Sequence, residues 1–331
     1  MTSSRSSARR RWIGVVSMAF AAAACGAAAA QDNVPIRLLV GFAPGGMTDV
    51  VGRVLAQGLQ AELGRTVVVE NRAGAGGQIA AQTLKAAKPD GNTLFLTNSH
   101  ATAMIPLTTL NPGYDPAKDF TPVGLVATNP NFFMVSTALV GKDVNSLQAF
   151  AQWSKANPDR GNVGVPAPAS APAFSVTVLS QGAGADLKSV PYRGDAPMVQ
   201  DLIAGQIPAG ISGVASAIQH VQTGKIKLLA VDGPRRLPGF PDVPTYAEAG
   251  IPGLEDVIFI GVLAPTGTPR DLVMKYNAAI NKIVNSKAFH DRTSELGIIP
   301  QSGTPEDMTR ADEKSRQANL PLMKAAGYQP Q

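Results

Sequence analysis

The chain has 331 residues, of which 44% are apolar and 16% charged, the composition of a folded globular protein with material for about two domains. One cysteine and three histidines exclude a disulfide framework and a cysteine-based zinc site, and leave little for a histidine-rich metal centre. The first 30 residues hold four arginines and no acid, so the rest of the chain has 25 bases against 24 acids. The net charge of +5 therefore gives no reason to expect a nucleic-acid partner.

The first 30 residues have the three parts of an export signal. Arg9-Arg10-Arg11 is followed by the uncharged stretch Trp12–Ala30, which ends in the small residues that a cleavage site requires. We therefore predict a cleavable signal peptide over residues 1–30. Two alternatives stay open, because 19 uncharged residues just suffice for a membrane anchor and because Cys25 is a candidate for lipidation. The arginine run weakly resembles a twin-arginine signal, so both Sec and Tat export stay open.

After the signal, strands and helices alternate regularly. Apolar runs predict strands at 36–40, 66–70 and 93–96. Apolar residues at helical spacing predict a helix over 51–63 and another that carries Ile79 to Ala87. This β-α-β-α-β order is typical of a mainly parallel sheet with helices on its faces.

The alternation changes after residue 120. Strands at 120–126 and 132–135 follow each other without a helix, and another apolar strand comes late, at 257–263. Between them the pattern predicts helices at 147–155, 174–181, 196–204 and 214–223, and strands within 161–173 and at 187–190, 207–211 and 226–231. Two more helices begin after Thr268-Pro269 and at the capping-box pattern Thr304–Asp307.

These elements predict an α/β fold of two lobes. The strands near 120–135 and at 257–263 are placed to run between the two α/β sets. We expect residues 31–130 and 256–331 to form the first lobe and residues 131–255 the second. Ligands in such folds bind at the carboxyl ends of strands, where helices begin.

Two glycine-rich turns in the first lobe are the best candidates for a binding site. They are Ala43–Asp49 and Ala73–Gln78, and each contains a Gly-Gly pair. Glycine lets backbone N–H groups point into a cleft, and the N-terminus of the following helix adds unsatisfied donors, so the turns favour a small anion. No phosphate-binding motif is complete, which makes a carboxylate the natural ligand. The alternative is an ordinary strand-to-helix connection with Thr48 or Asp49 as the cap.

Catalytic motifs are missing from the sequence. It contains neither a G-x-S-x-G elbow nor an H-E-x-x-H motif. Ser99 and His100 follow the strand at 93–96 and could face the cleft, but sequence neighbours are ill-placed to act as nucleophile and base. We expect no enzyme, no cofactor and no metal. Alternatives from other classes are a secreted hydrolase of carboxylate esters and a surface lipoprotein adhesin anchored at Cys25.

The second lobe offers similar turns. Tyr192 lies in the turn before the helix at 196–204 and could present its ring or hydroxyl to the cleft, with packing at the lobe surface as an equal alternative. Asp195 is expected to cap that helix, with Pro197 in its first turn. Ser212-Gly213 ends the next strand just before a helix.

Sequence blocks along the whole mature chain resemble one family. They are Ile36–Val40, Ala43–Asp49, Val69–Gly77, Lys88–Gly91, Tyr114–Pro116, Asp119–Val123, Val190–Gly194, Asp201–Ile207, Pro241–Thr245, Ala247–Gly250 and Leu263–Pro269. In order and spacing these blocks resemble the Bug (Bordetella uptake gene) proteins, the TctC-like substrate-binding receptors of tripartite tricarboxylate transporters.

The resemblance implies a periplasmic, type II-like binding protein, a monomer whose two lobes close by a hinge on a small carboxylate. Its partners would be membrane permease subunits or a sensor kinase. The resemblance assigns ligand binding to nine positions of this chain: Pro44, Gly45, Gly46, Asp49, Gly74, Ala75, Gly76, Ser99 and Tyr192.

The second lobe departs from the family pattern. Ala173 stands where a histidine is frequent, Pro208 and Ser212-Gly213 stand where acids are frequent, and Phe259 stands where a tryptophan is common. The distal part of the pocket should therefore carry less charge than usual. We expect a ligand whose far end is neutral or lacks an ammonium group, since a buried ammonium would have no partner.

Overall fold

The computed structural model describes residues 34–294 and 296–331. The predicted signal peptide and Cys25 lie outside these residues. Among the described residues, no helix combines the length and the apolar character needed to cross a membrane.

Strands and helices alternate along most of the chain. The strands are β1 Ile36–Val40, β2 Val67–Asn71, β3 Thr93–Asn98, β4 Phe120–Asn129, β5 Phe132–Ser136, β6 Asn162–Val165, β7 Lys188–Pro191, β8 Ala209–Ser212, β9 Ile226–Val231, β10 Ile258–Pro265 and β11 Ile299–Pro300. The helices are α1 Met47–Leu63, α2 Gln78–Lys85, α3 Ile105–Thr108, α4 Pro116–Asp119, α5 Thr137–Val140, α6 Leu147–Ala156, α7 Ala171–Ala183, α8 Asp195–Ile203, α9 Ile218–Gln222, α10 Arg270–Val284, α11 Lys287–Ser294 and α12 Pro305–Ala325.

The first sheet has the strand order β11-β4-β10-β3-β1-β2. Strands β1 to β4 point the same way, and β10 and β11 run against them. Successive side chains of a strand point to opposite faces, so Leu38 packs with α1 and α10 while Leu39 packs with α2 and Met308 of α12. Both faces of this sheet are therefore buried, which explains the continuous apolar run of β1.

The second sheet has the order β7-β6-β8-β5-β9. Here β6 to β9 point the same way and only β5 runs against them. Phe133 packs with α6 and α7 on one face, and Met134 packs with α8 on the other. Each sheet packs its own apolar side chains, which confirms the predicted two-lobed α/β fold. The sheets are mixed rather than mainly parallel as expected, because three of the five neighbouring strand pairs in the first sheet and two of the four in the second are antiparallel among the described residues.

Three segments connect the two sheets. Residues 130–131 join β4 to β5, and residues 232–257 join β9 to β10. The third connection is α12, since Met308 near its start belongs to the core of the first sheet while Leu322 and Met323 near its end belong to the core of the second.

Local capping accounts for most differences from the predicted elements. Helix α7 begins at Ala171, three residues before the predicted start, because the Ser170 hydroxyl accepts a hydrogen bond from the Ala173 amide. Helix α9 covers only five of the ten predicted residues, because residues 214–217 form a turn instead. The sequence patterns also missed the short helices α3, α4 and α5, together with α11 and β11. The predicted capping box at Thr304 is confirmed.

Candidate functional site

The first glycine-rich turn connects β1 to α1 and is held together by Asp49. One carboxylate oxygen of Asp49 accepts hydrogen bonds from the Gly45 amide and from Nε of Arg53, both at 2.9 Å. The other oxygen accepts a hydrogen bond from Nδ2 of Asn71, also at 2.9 Å. Burial raises the pKa of Asp49, but these hydrogen bonds and the Arg53 charge outweigh it and leave the pKa below its usual value. Asp49 thus stays ionised and shapes the turn.

The second turn follows β2 and is built from four consecutive residues with positive φ. Gly74, Ala75, Gly76 and Gly77 have φ angles of 140°, 46°, 65° and 101°. The turn lies directly against the first one, because a methyl group added at Gly41 would come within 2.8 Å of the Gly77 Cα atom. The adjacency of β1 and β2 in the sheet brings both turns to the same edge.

Ser99 and His100 lie beside these turns, where β3 ends in a single π-helical turn over His100–Met104. His100 is only 6% exposed, and its Nδ1 atom has no hydrogen-bond partner among the described residues. Burial lowers the pKa of His100 to about 4, so the ring is neutral at neutral pH. Its Nε2 atom lies so close to Gly76 that a methyl group there would come within 2.4 Å of it.

The second lobe faces these turns with the N-termini of two helices. Helix α7 begins at Ala171, after its N-cap Ser170, and α8 begins at Asp195. The carboxyl of Asp195 does not cap α8; instead its Oδ2 atom accepts a hydrogen bond from the Met47 amide at the start of α1, at 3.3 Å. A second polar contact between the lobes runs from the Ser216 hydroxyl to the Gly45 carbonyl, at 2.9 Å.

A small cavity of about 30 Å³ lies between the two lobes at this point. From the first lobe and the connecting segments it is lined by Phe42, Met47, Thr48, Asn98, Ser99, His100, Met104, Asn129, Asn131 and Ile258. From the second lobe it is lined by Pro166, Ala167, Ser170, Ala171, Pro172, Asp195 and Gly213. The N-terminal ends of α1, α7 and α8 all reach this cavity, and no lysine or arginine is among its lining residues.

The structure brings most of the nine predicted binding positions to this part of the cleft. Ser99 lines the cavity itself. Pro44, Gly45, Gly46 and Asp49 belong to the first turn and Gly74, Ala75 and Gly76 to the second, and these two turns lie against each other next to His100. Tyr192 does not reach the cavity, since its hydroxyl donates a hydrogen bond to Asp201 on α8, at 2.7 Å.

Two expectations for the second lobe must be corrected. Asp195 was expected to cap α8, but α8 begins at Asp195 itself, and the carboxyl spans the cleft to Met47. The distal wall was expected to carry less charge than usual, yet Asp195 puts a carboxyl group on it. No sequence pattern marked Asp195 as a cleft residue, because its partner is 148 positions away in the chain. Asn98 and Asn129 also line the cavity and were not predicted.

A polar cluster holds the connections between the lobes together. The Asn131 amide and its Nδ2 atom donate to the two carboxyl oxygens of Asp232, at 2.8 and 2.7 Å. Asp256 accepts hydrogen bonds from Ser315 and Asn319 of α12, at 3.1 and 3.0 Å. Each of the three connections therefore contributes side chains to this cluster, which lies directly behind the cavity.

Metal and nucleophile chemistry find no support in the described part of the chain. It contains no group of three histidine, cysteine, aspartate or glutamate side chains placed to hold a metal ion. The backbone amide of His100 donates to Asn98, and no hydrogen bond joins its ring to Ser99 among the described residues.

Comparison with known proteins identifies the family. The model of the tripartite tricarboxylate transporter family receptor matches residues 51–327. The chain belongs to this family. It is 34% identical to protein BugT of Bordetella pertussis over 318 residues, which cover 94% of this chain and 96% of BugT.

Two solved structures extend this similarity to the fold. R. palustris Rpa4515, solved with adipate, has a TM-score of 0.85 and 33% identity, covering 90% of this chain and 98% of that one. The periplasmic binding protein BugD has a TM-score of 0.83 and 32% identity, covering 90% and 99%. These findings confirm the resemblance to Bug and TctC-like receptors and the prediction of a periplasmic solute-binding receptor.

Proposed function

We propose that this receptor binds a small organic carboxylate in the cleft between its lobes. The observation that supports this best is the meeting of three helix N-termini at a cavity without lysine or arginine. Backbone N–H groups and the helix dipoles supply the positive potential there, and they suit a compact anion such as a carboxylate. The similarity to a protein solved with adipate supports the same chemistry.

Binding would involve closure of residues 131–255 against residues 31–130 and 256–331. In the present arrangement the cavity has room for about one or two water molecules, so a solute would enter a more open form. The Asn131–Asp232 pair, on the first two connections, is the natural pivot for such a movement. The first 30 residues would direct export and then be removed.

The receptor would act as a monomer and deliver its ligand to membrane permease subunits or to a sensor kinase. It needs no cofactor for this role. The alternative of a secreted hydrolase gains nothing from Ser99 and His100, since their side chains form no catalytic hydrogen bond in the described part of the chain.

The test is a thermal-shift screen of the mature protein, preceded by native mass spectrometry to find any co-purified solute. The panel pairs each carboxylate with its uncharged amide, for example succinate with succinamide and adipate with adipamide. A carboxylate at a hundredfold excess over its Kd should stabilise the protein by about 2.7 kcal/mol, and its amide should not. Stabilisation by the amides alone, or by no compound of the panel, would contradict the proposal.

A further inference from the structure

The carboxyl group of Asp195 occupies an unusual position for an acid. It lies between the lobes. Its Oδ2 atom accepts a hydrogen bond from the Met47 amide, and the carboxyl group has no other hydrogen-bond partner among the described residues. The other oxygen, Oδ1, is left for a group inside the cavity. Ser99 and His100 line the same cavity, and the buried Nδ1 atom of His100 also lacks a partner.

In the described part of the chain, no cation faces Asp195 from the elements packed around it. On α1, Arg53 is paired with Asp49 at 2.9 Å. On the far side of the cavity, the pKa of His100 is lowered by burial to about 4, so this ring is neutral above pH 5. Arg193, in the turn before α8, is exposed to solvent. Burial raises the pKa of Asp195 itself to about 6, although the hydrogen bond from Met47 lowers it.

A solute carboxylate at the start of α1 would therefore meet a second carboxyl group. Two carboxylates in contact cannot both stay ionised at low cost, and one of them takes up a proton. A neutral carboxylic acid can then donate a strong hydrogen bond to the remaining carboxylate. Asp195 already has the environment of a neutral acid, because it is half-buried between the lobes and no cation pairs with it among the described residues.

We propose that Asp195 is a solute-binding residue that acts as a carboxylic acid, its Oδ1 hydroxyl donating to the solute carboxylate while Oδ2 accepts from Met47. The proton comes from the solvent and is bound as the lobes close. This inference rests on the proposed function and deepens it, because the receptor then binds a carboxylate together with one proton. Binding should weaken as the pH rises.

Isothermal titration calorimetry with adipate and malate, from pH 5.5 to 8.5, tests this in three proteins. They are the wild type, Asp195→Asn, and the control Asp201→Asn, which changes an acid on the same helix outside the cavity. Wild type and control should lose affinity about tenfold per pH unit above pH 6, as expected for uptake of one proton. Titration in buffers of different ionisation enthalpy should count this proton. Asp195→Asn should show only the pH dependence that ionisation of the probe causes and no proton uptake by the protein, because the amide donates as the neutral acid does.

Because ionisation of the probe is common to all three proteins, the difference between their profiles reports Asp195 alone. If Asp195→Asn binds the solute more weakly than the wild type at pH 8, an ionised Asp195 binds a donor on the solute, and the proposal is overturned. Parallel pH profiles in wild type and variant would also overturn it.

The ligand-free protein separates failure of this inference from failure of the proposed function. A folded-state pKa above the unfolded value makes the wild type lose stability relative to Asp195→Asn as the pH rises from about 4 to about 6. If the stability difference between wild type and Asp195→Asn does not change with pH, Asp195 is not held as a neutral acid and this inference fails. If the difference changes with pH as expected but no carboxylate binds either protein at any pH, the proposed function fails instead.

Discussion

Replacing Gly76 by alanine tests whether the second glycine-rich turn borders the binding site. Gly76 and Gly64 have the same backbone conformation, with φ 65° and ψ 20° in both. A methyl group at Gly64 would meet nothing within 4 Å, whereas one at Gly76 would come within 2.4 Å of Nε2 of His100. Gly64→Ala is therefore a control with the same backbone strain and no collision.

The two variants should differ in both stability and binding. Each carries the cost of alanine in the left-handed region, about 1 kcal/mol. Gly76→Ala adds overpacking against His100, about 1–3 kcal/mol, with a fall in Tm of about 2–4 °C for each kcal/mol. His100 must also move, and since it forms one wall of the cavity, the Kd for a stabilising carboxylate should rise at least about tenfold, or 1.4 kcal/mol.

Thermal unfolding and calorimetry on the two variants give the answer. Gly64→Ala should lose stability only and keep the wild-type Kd. If Gly76→Ala binds as tightly as Gly64→Ala, the reasoning that joins the second turn, His100 and the cavity into one site is refuted.

Three further changes test other parts of the structure. Asp232→Asn replaces an oxygen that accepts a hydrogen bond from Asn131 with an NH₂ group. Urea unfolding at pH 7 should therefore show a loss of about 1–3 kcal/mol in the free energy of unfolding. Unchanged stability would contradict the role of the Asn131–Asp232 pair as the pivot. Tyr192→Phe should keep the carboxylate Kd within about twofold of the wild-type value, a change of less than about 0.5 kcal/mol, because the hydroxyl donates to Asp201. A larger loss of affinity in calorimetry would show that Tyr192 belongs to the binding site. The pKa of His100 in the folded state lies below its unfolded value. The free energy of unfolding of the wild type should therefore fall by up to about 3 kcal/mol relative to His100→Gln as the pH falls from 6.5 to 4. Parallel pH profiles of urea unfolding in the two proteins would show that the ring is not buried as a neutral group.

The sequence was sufficient for features encoded by neighbouring residues. The apolar runs of β1 and β10 and the capping box at Thr304 are local patterns, and the structure confirms them. Anion binding by the two turns stays a prediction, which rests on glycine pairs followed by a helix because their chemistry lies in the backbone. The order of the elements, with two α/β sets and strands between them, predicted the two-lobed arrangement, and the structure and the comparisons confirm it.

Features that depend on distant pairs escaped prediction. Asp195 has the local pattern of a helix cap, and only the fold brings Met47 to it. The same holds for Asn131 and Asp232, which are 101 positions apart. The turn pattern left Tyr192 open between the cleft and the lobe surface, and the resemblance assigned it to the site. In the structure its hydroxyl donates to Asp201 on α8 and it does not line the cavity.

The connection through α12 has a consequence for how movement of this receptor can be followed. Two loop connections alone would leave the lobes free to twist as well as to bend. A helix that is fixed in both cores, by Met308 at one end and Met323 at the other, should suppress the twist, and the proposed opening would then follow nearly one coordinate. A single distance between a dye on each lobe should then report the full opening angle. Since the only cysteine in the sequence is Cys25, within the predicted signal peptide, a pair of engineered cysteines would label the mature protein at those two positions alone.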